Sequence, residues 1–126
     1  MTQLQGKVAF ITGGSKGIGF GIAQVLLQKG IHVAITSRSL ESAQKAANKL
    51  SVFAADSAKV LPLKADVRDY QQQQDAVKAT ESSLGSIDIV IANAGLGVFG
   101  SIEDITIEAW NQVIETNLTG VFYTLK

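Results

Sequence analysis

The 126 residues are 46% hydrophobic and 17% charged, enough apolar material for the core of one globular domain. There is no cysteine, which excludes disulfides and thiolate metal sites and agrees with a cytoplasmic location. Net charge is zero, with no dense basic cluster and no apolar run of membrane-spanning length, so neither nucleic acid nor a bilayer is an expected partner.

Met1–Lys7 lacks a charged segment followed by a long apolar run, so it does not read as a signal peptide. Val8–Thr12 is a near-continuous apolar strand. It leads directly into Thr12-Gly13-Gly14-Ser15-Lys16-Gly17-Ile18-Gly19, which opens a helix over 18–29 with Gly30 as its C-cap. Ile18, Ile22, Val25 and Leu26 form the expected apolar stripe of that helix. Glycines let a strand turn sharply into a helix whose free N–H groups and positive dipole end hold a phosphate. The spacing is Gly13-x-x-x-Gly17-x-Gly19, and no Gly-Lys-Ser/Thr follows as a Walker A loop requires. A tight turn without a ligand is the alternative. Residues 1–50 carry six basic side chains against one acid and residues 51–126 five against ten, so the first half suits an anionic ligand.

The second strand, His32–Thr36, runs into Ser37-Arg38-Ser39. A site for NAD(H) usually places Asp or Glu here, against the ribose 2′-hydroxyl. Arg38, helped by Lys16, suits a 2′-phosphate instead, so NADP(H) is favoured over NAD(H). The alternative is that Arg38 is an ordinary solvent-exposed loop residue. His32 is the sole histidine and has no neighbours suited to metal or catalytic work.

Ser39 caps a second helix with Leu40, Ala43, Ala47 and Leu50 on one side. Val60–Ala65 is the third strand, followed by Asp66-Val67. Asp69 caps a third helix on which Tyr70, Val77 and Leu84 recur before Gly85; this thin stripe places the helix on the outside. Its Gln71–Gln74 run reads as an exposed helical face. Ile87–Ala92 is the fourth strand, ending in Asn93-Ala94-Gly95. The loop Leu96–Gly100 either borders a substrate, covers the nicotinamide or simply connects elements. Thr106 starts a last helix with Ile107, Trp110, Val113, Ile114, Leu118, Val121, Phe122 and Leu125. Trp110 reads as a core or subunit contact rather than a substrate platform.

Strands and helices alternate, and the strands are apolar as parallel strands covered on both faces are. The expected fold is α/β: a Rossmann-type doubly wound parallel sheet truncated after four strands, order 3-2-1-4, with helices on both faces. Residues 1–126 are expected to form a single dinucleotide-binding domain, incomplete on its C-terminal catalytic and substrate side. The last helix puts Asn117 in line with Trp110, Val113 and Val121, so its amide needs a partner from backbone, water or ligand.

Taken together, these motifs resemble the short-chain dehydrogenase/reductase family. Thr12–Gly19 is similar to its Thr-Gly-x-x-x-Gly-x-Gly signature, and Asn93-Ala94-Gly95 to the Asn-Ala-Gly that ends its fourth strand. Asp66-Val67 resembles the segment whose acidic residue, after the third strand, bonds the adenine. Glu115-Thr116-Asn117-Leu118-Thr119-Gly120 resembles the segment bearing the catalytic asparagine, which distorts its helix and holds a water of a proton relay. The resemblance spans the chain from Leu4-x-Gly6-Lys7 onward, and members like 3-oxoacyl carrier reductases are one candidate subclass. It implies hydride transfer between a nicotinamide and a small carbonyl or secondary alcohol. The expected cofactor-binding residues are Thr12, Gly13, Ser15, Lys16, Gly17, Ile18, Gly19, Ser37, Arg38, Asp66, Val67, Asn93, Ala94 and Gly95. Asn117 is the expected catalytic residue, and no metal ligand is expected.

The family's chemistry also uses a serine and a Tyr-x-x-x-Lys pair. Tyr123 and Lys126 are one residue too close and lie on the Asn117 helix, so they are not that pair. The chain alone is therefore expected to bind cofactor without turnover. The alternative function is a non-catalytic nucleotide-binding or interaction module. A methyltransferase is the weaker third, because no acid ends the second strand. Self-association is expected through the fourth strand's edge or the last helix.

Overall fold

A computed structural model describes residues 4–126. The reading of Met1–Lys7 as free of a signal peptide falls partly on residues 1–3, which lie outside the described residues. Four parallel strands form one sheet in the order β3-β2-β1-β4: β1 is Val8–Thr12, β2 His32–Ser37, β3 Val60–Lys64 and β4 Ile89–Ile91. Helices α1 (Gly17–Gln28), α2 (Leu40–Leu50), α3 (Tyr70–Leu84), α4 (Ile107–Ile114) and α5 (Gly120–Leu125) follow in chain order. This is the Rossmann-like arrangement read from the alternation of elements.

The two sheet faces have separate cores. Ala9, Ile11, Val33 and Ile35 are fully buried under Ala23 and Leu27 of α1 and Ala46 and Leu50 of α2. Phe10 and Ala34 point the other way and are covered by Ala76 of α3, with Val77 and Leu84 alongside. Pro62 sits in β3 without harm because β3 is an edge strand, where one row of N–H groups pairs with nothing.

Several expectations need correction. Half of the expected α1 stripe faces the core: Ile22 and Leu26 are half-buried against it, while Ile18 is 77% and Val25 49% exposed, and the fully buried residues are Gly19, Ala23 and Leu27. Small residues face inward because α1 lies close to the strand ends: a Cβ on Gly19 would stand 2.5 Å from Asn93 Nδ2 and 2.6 Å from the Gly13 carbonyl oxygen. On α2, Leu40 is exposed and Ala46 joins the buried side. On α3 the buried side is Gln73, Ala76 and Thr80, so the glutamine run is not a uniformly exposed face. Gln73 Nε2 donates to Thr124 Oγ1 at 2.6 Å, although its Oε1 is buried without a partner, and the Thr80 hydroxyl donates to the Ala76 carbonyl at 2.8 Å.

β4 is shorter than the expected Ile87–Ala92. At its start Asp88 N donates to the Val8 carbonyl at 2.8 Å and Val8 N donates to the Asp88 carboxylate at 3.0 Å, so a side chain takes the bond that a longer strand would make to Val8 N. The Asn93 N–H turns back to the Ile91 carbonyl at 3.1 Å and closes the other end. Val90 is also 41% exposed, because α3 covers Phe10 of the neighbouring strand but not β4. The last helix runs without a break from Ile107 to Leu125, as expected, but Glu115–Thr119 within it, between α4 and α5, is π-helical. Such a widened turn is the local distortion that the resemblance implies around Asn117. Among the described residues no helix is long and apolar enough to cross a membrane.

Candidate functional site

The C-terminal ends of the strands enclose a cleft of about 550 Å³. Its floor and rim come from the turn after β1, the ends of β2 and β3, the first turn of α2, the segment after β4 and the π-helical turn. Gly13, Ser15, Lys16, Gly17, Ile18, Ser37, Arg38, Asp66, Val67, Asn93, Ala94 and Gly95 all line it. Of the residues expected at the site, only Thr12, Gly19 and Asn117 do not.

The α1 N-terminus is the electrostatic centre of this cleft. Lys16, in the N-cap position, has an extended backbone and makes no side-chain cap, and the first turn carries no acid. The opening N–H groups of α1 are therefore left for a ligand, and an anion there meets the positive end of the helix dipole. Gly13 makes the turn possible twice over. Its φ is +68°, and a Cβ there would stand 2.8 Å from the Ala94 Cα.

Thr12 and Asn93 hold the two glycine-bearing segments together. Asn93 N and Ala94 N each donate to Thr12 Oγ1 at 3.1 Å. Asn93 Nδ2 donates to the Thr12 carbonyl at 3.2 Å and to the Gly13 carbonyl at 3.0 Å. Thr12 thus acts beneath the cleft, on its shape.

Asp66 accepts from Arg68 through both carboxylate oxygens, with Nη2 to Oδ2 the shortest contact at 2.7 Å. That hydrogen bonding holds the Asp66 carboxyl below its ordinary value despite partial burial, and in turn raises Arg68. The positive charge of Arg38 acts on Asp66 in the same direction.

Asn117 differs from the expected buried amide: it is exposed, because the side of α4 and α5 that carries it is largely uncovered. Its partners are main-chain. Oδ1 accepts from Leu96 N and Nδ2 donates to the Leu96 carbonyl, each at 2.8 Å, so it ties the segment after β4 to the π-helical turn. Trp110 is likewise 61% exposed and not a core residue. Tyr123 stacks at 5.3 Å on Tyr70 of α3, and Lys126 Nζ lies 5.4 Å from the centre of that same Tyr70 ring; neither lines the cleft. His32 Nδ1 accepts from Lys59 N at 3.0 Å, a structural use.

Four polar residues at the cleft escaped the sequence reading: Thr36, Ser39, Ser42 and Thr116. Ser39 was legible only as the α2 cap, which it is, accepting from Ser42 N at 3.3 Å. Ser42 was reachable too, since the first turn of a helix that follows β2 faces the strand ends. Nothing in the sequence marks Thr116 except its place beside Asn117. Among the described residues no cluster of His, Asp or Glu is suited to a metal.

Comparison with known proteins gives a consistent result. A family model described as short chain dehydrogenase matches residues 7–126. An uncharacterised oxidoreductase of Staphylococcus aureus is 36% identical over 126 residues, which is 100% of this chain and 52% of that protein. A glycine betaine reductase of Emericella nidulans is 37% identical over 122 residues, 97% of this chain but 9% of that protein. Among solved structures, a short-chain type dehydrogenase/reductase from Mycobacterium marinum superimposes with TM-score 0.89 at 34% identity, covering 97% of this chain and 47% of that one. A Serratia marcescens short-chain dehydrogenase/reductase variant gives 0.87 at 36% identity, with 97% and 49% covered. Apart from the much longer reductase, the chain spans about half the length of these relatives.

Proposed function

The chain belongs to the short-chain dehydrogenase family, and from that membership we propose that it is the NADP(H)-binding part of a reductase or dehydrogenase acting on a carbonyl or secondary alcohol. Residues 1–126 act in this reading as one dinucleotide-binding unit in a reducing, cytoplasmic setting. The nicotinamide cofactor supplies hydride transfer when bound; the residues here hold and orient it. The pyrophosphate belongs on the uncapped α1 N-terminus, the adenine beside Asp66, and the 2′-phosphate beside Arg38 and Lys16.

One observation carries the NADP(H) preference: Lys16 and Arg38 line the same cleft, and no carboxylate stands at the end of β2. An acid there would repel a 2′-phosphate, whereas a guanidinium pairs with it bidentately. A charge-assisted hydrogen bond contributes about 1.5–3 kcal/mol, or roughly tenfold to a hundredfold in affinity. NADP⁺ is expected to raise the thermal midpoint more than NAD⁺ does at equal concentration, and Arg38→Asp to remove that difference. Equal shifts in the wild-type chain would overturn the preference.

Asn117 serves this reading by fixing Leu96, a wall of the cleft, to the π-helical turn. These 126 residues contain no Tyr-x-x-x-Lys, so the chain alone is proposed to bind cofactor without turning over substrate. Self-association belongs to the same proposal, through the β4 edge or the exposed face of α4 and α5.

A further inference from the structure

We propose that Arg68 is a positioning residue for base recognition: it fixes the Asp66 carboxylate with one acceptor site open, so that the cleft takes a 6-aminopurine in preference to a 6-oxopurine. This rests on the dinucleotide reading above and extends it to a side chain that does not itself line the cleft.

An ionised carboxylate offers about four acceptor sites and no donor. Arg68 brings three N–H groups to Asp66: its backbone N reaches Oδ1 at 3.0 Å, Nε reaches Oδ1 at 3.0 Å and Oδ2 at 3.2 Å, and Nη2 reaches Oδ2 at 2.7 Å. With Nε shared between the oxygens, about one acceptor site remains. The main chain of Asp66 is fixed as well, since its N–H donates to Gln72 Oε1 at 2.9 Å. Gln72 is in turn held by Asp69, through its own backbone N at 3.1 Å and Nε2 at 3.2 Å. Asp69 is the N-cap of α3, so the turn that carries Asp66 is anchored through Gln72 to the first turn of a 15-residue helix.

A carboxylate ordered in this way has lost its rotamer freedom before a ligand arrives, which lowers the entropic cost of using it. The remaining site accepts only a donor. An exocyclic amino group supplies one, whereas a 6-oxo group sets oxygen against oxygen. Lysine can reproduce only part of the effect, because a single ammonium lacks the planar fork that grips both oxygens.

The test uses the full 126-residue chain, titrated with NADP⁺ and with its hypoxanthine counterpart, which carries oxygen in place of the 6-amino group. The wild-type chain is expected to bind the adenine form about tenfold more tightly. Arg68→Ala should lose most of that on the adenine form and little on the hypoxanthine form, and Arg68→Lys should fall between. Asp66→Asn should flatten the ratio by itself, and adding Arg68→Ala to it should change the ratio no further, as expected for a residue acting through Asp66. A merely structural role lowers both affinities together and leaves the ratio intact, which would overturn the proposal. Where Arg68→Ala does not fold, Arg68→Lys carries the same comparison. Wild-type binding without base discrimination sinks this inference alone; no binding of either dinucleotide sinks the cofactor reading and this inference with it.

Discussion

In the folded chain the chief partner of the Asp66 carboxylate is Arg68. Arg68 gives it a bidentate ion pair at side-chain exposures of 21% for the acid and 30% for the base, and its carboxyl is held below the ordinary value. Arg38 adds to that effect on Asp66, and Glu115 at the start of the π-helical turn acts on Arg68. A group whose folded-state pKa is depressed contributes stability above its unfolded pKa, near pH 4, and loses it as pH falls through the folded value. The thermal midpoint of the wild-type chain should therefore fall more steeply between about pH 5 and pH 3 than that of Arg68→Ala, the two curves converging at the acid end. Parallel curves would count against the pair. The pair itself was not legible in the sequence: Asp66 was visible through its place after β3, but nothing in the pattern marks Arg68, two residues on, as its partner. Gln72 was hidden in a run of four similar residues, because sequence does not say which side of a helical turn meets the strand end. Arg38 was legible by contrast, since an unusual charge stands where the fold puts a ligand.

At the scale of elements, β1 and β2 supply an internal control. Thr12 and Thr36 are partners in register, both 1% exposed. Thr12 Oγ1 accepts two backbone N–H groups from the segment after β4, whereas Thr36 Oγ1 is buried with no partner. Valine keeps the shape and removes the oxygen. Thr12→Val should therefore cost about 1–3 kcal/mol, because Ala94 N loses its acceptor inside the protein. Thr36→Val should be neutral or stabilising, because it removes a buried polar atom that has no partner. Urea unfolding of the two variants without cofactor checks the contrast, and equal losses would contradict it. The strands themselves were legible to within two residues at each end, since continuous apolar runs flanked by turns are a strong signal. Helix faces were less so. On α1 the periodic large residues include two that face water, because close approach to Asn93 and Gly13 puts Gly19 on the inner side and the buried face follows it through Ala23 and Leu27. On α3 a glutamine and a threonine were buried through hydrogen bonds that no hydropathy pattern shows.

For the whole molecule, the two flanks of the sheet are unequal. The side under α1 and α2 closes over a fully buried core, whereas α4 has no fully buried residue. Ile107, Trp110, Leu118, Phe122 and Leu125 are each more than half exposed on α4, the π-helical turn and α5. Monomeric proteins rarely leave such a contiguous apolar face to water, and a stable dimer covers about 800 Å² on each partner. The β4 edge is the other open surface. It is three residues long, so it offers few main-chain bonds to an incoming strand. Large side chains should therefore decide the association, with the helical face dominating and the strand edge secondary. Sedimentation of the wild-type chain is expected to show a concentration-dependent shift from monomer to dimer. Trp110→Glu with Phe122→Glu should return it to monomer without altering NADP⁺ binding, because neither residue lines the cleft. Val90→Lys, on β4, should weaken association less. A wild-type chain that stays monomeric at several hundred micromolar would overturn self-association, and a larger effect from Val90→Lys would move the contact from the helices to the strand edge.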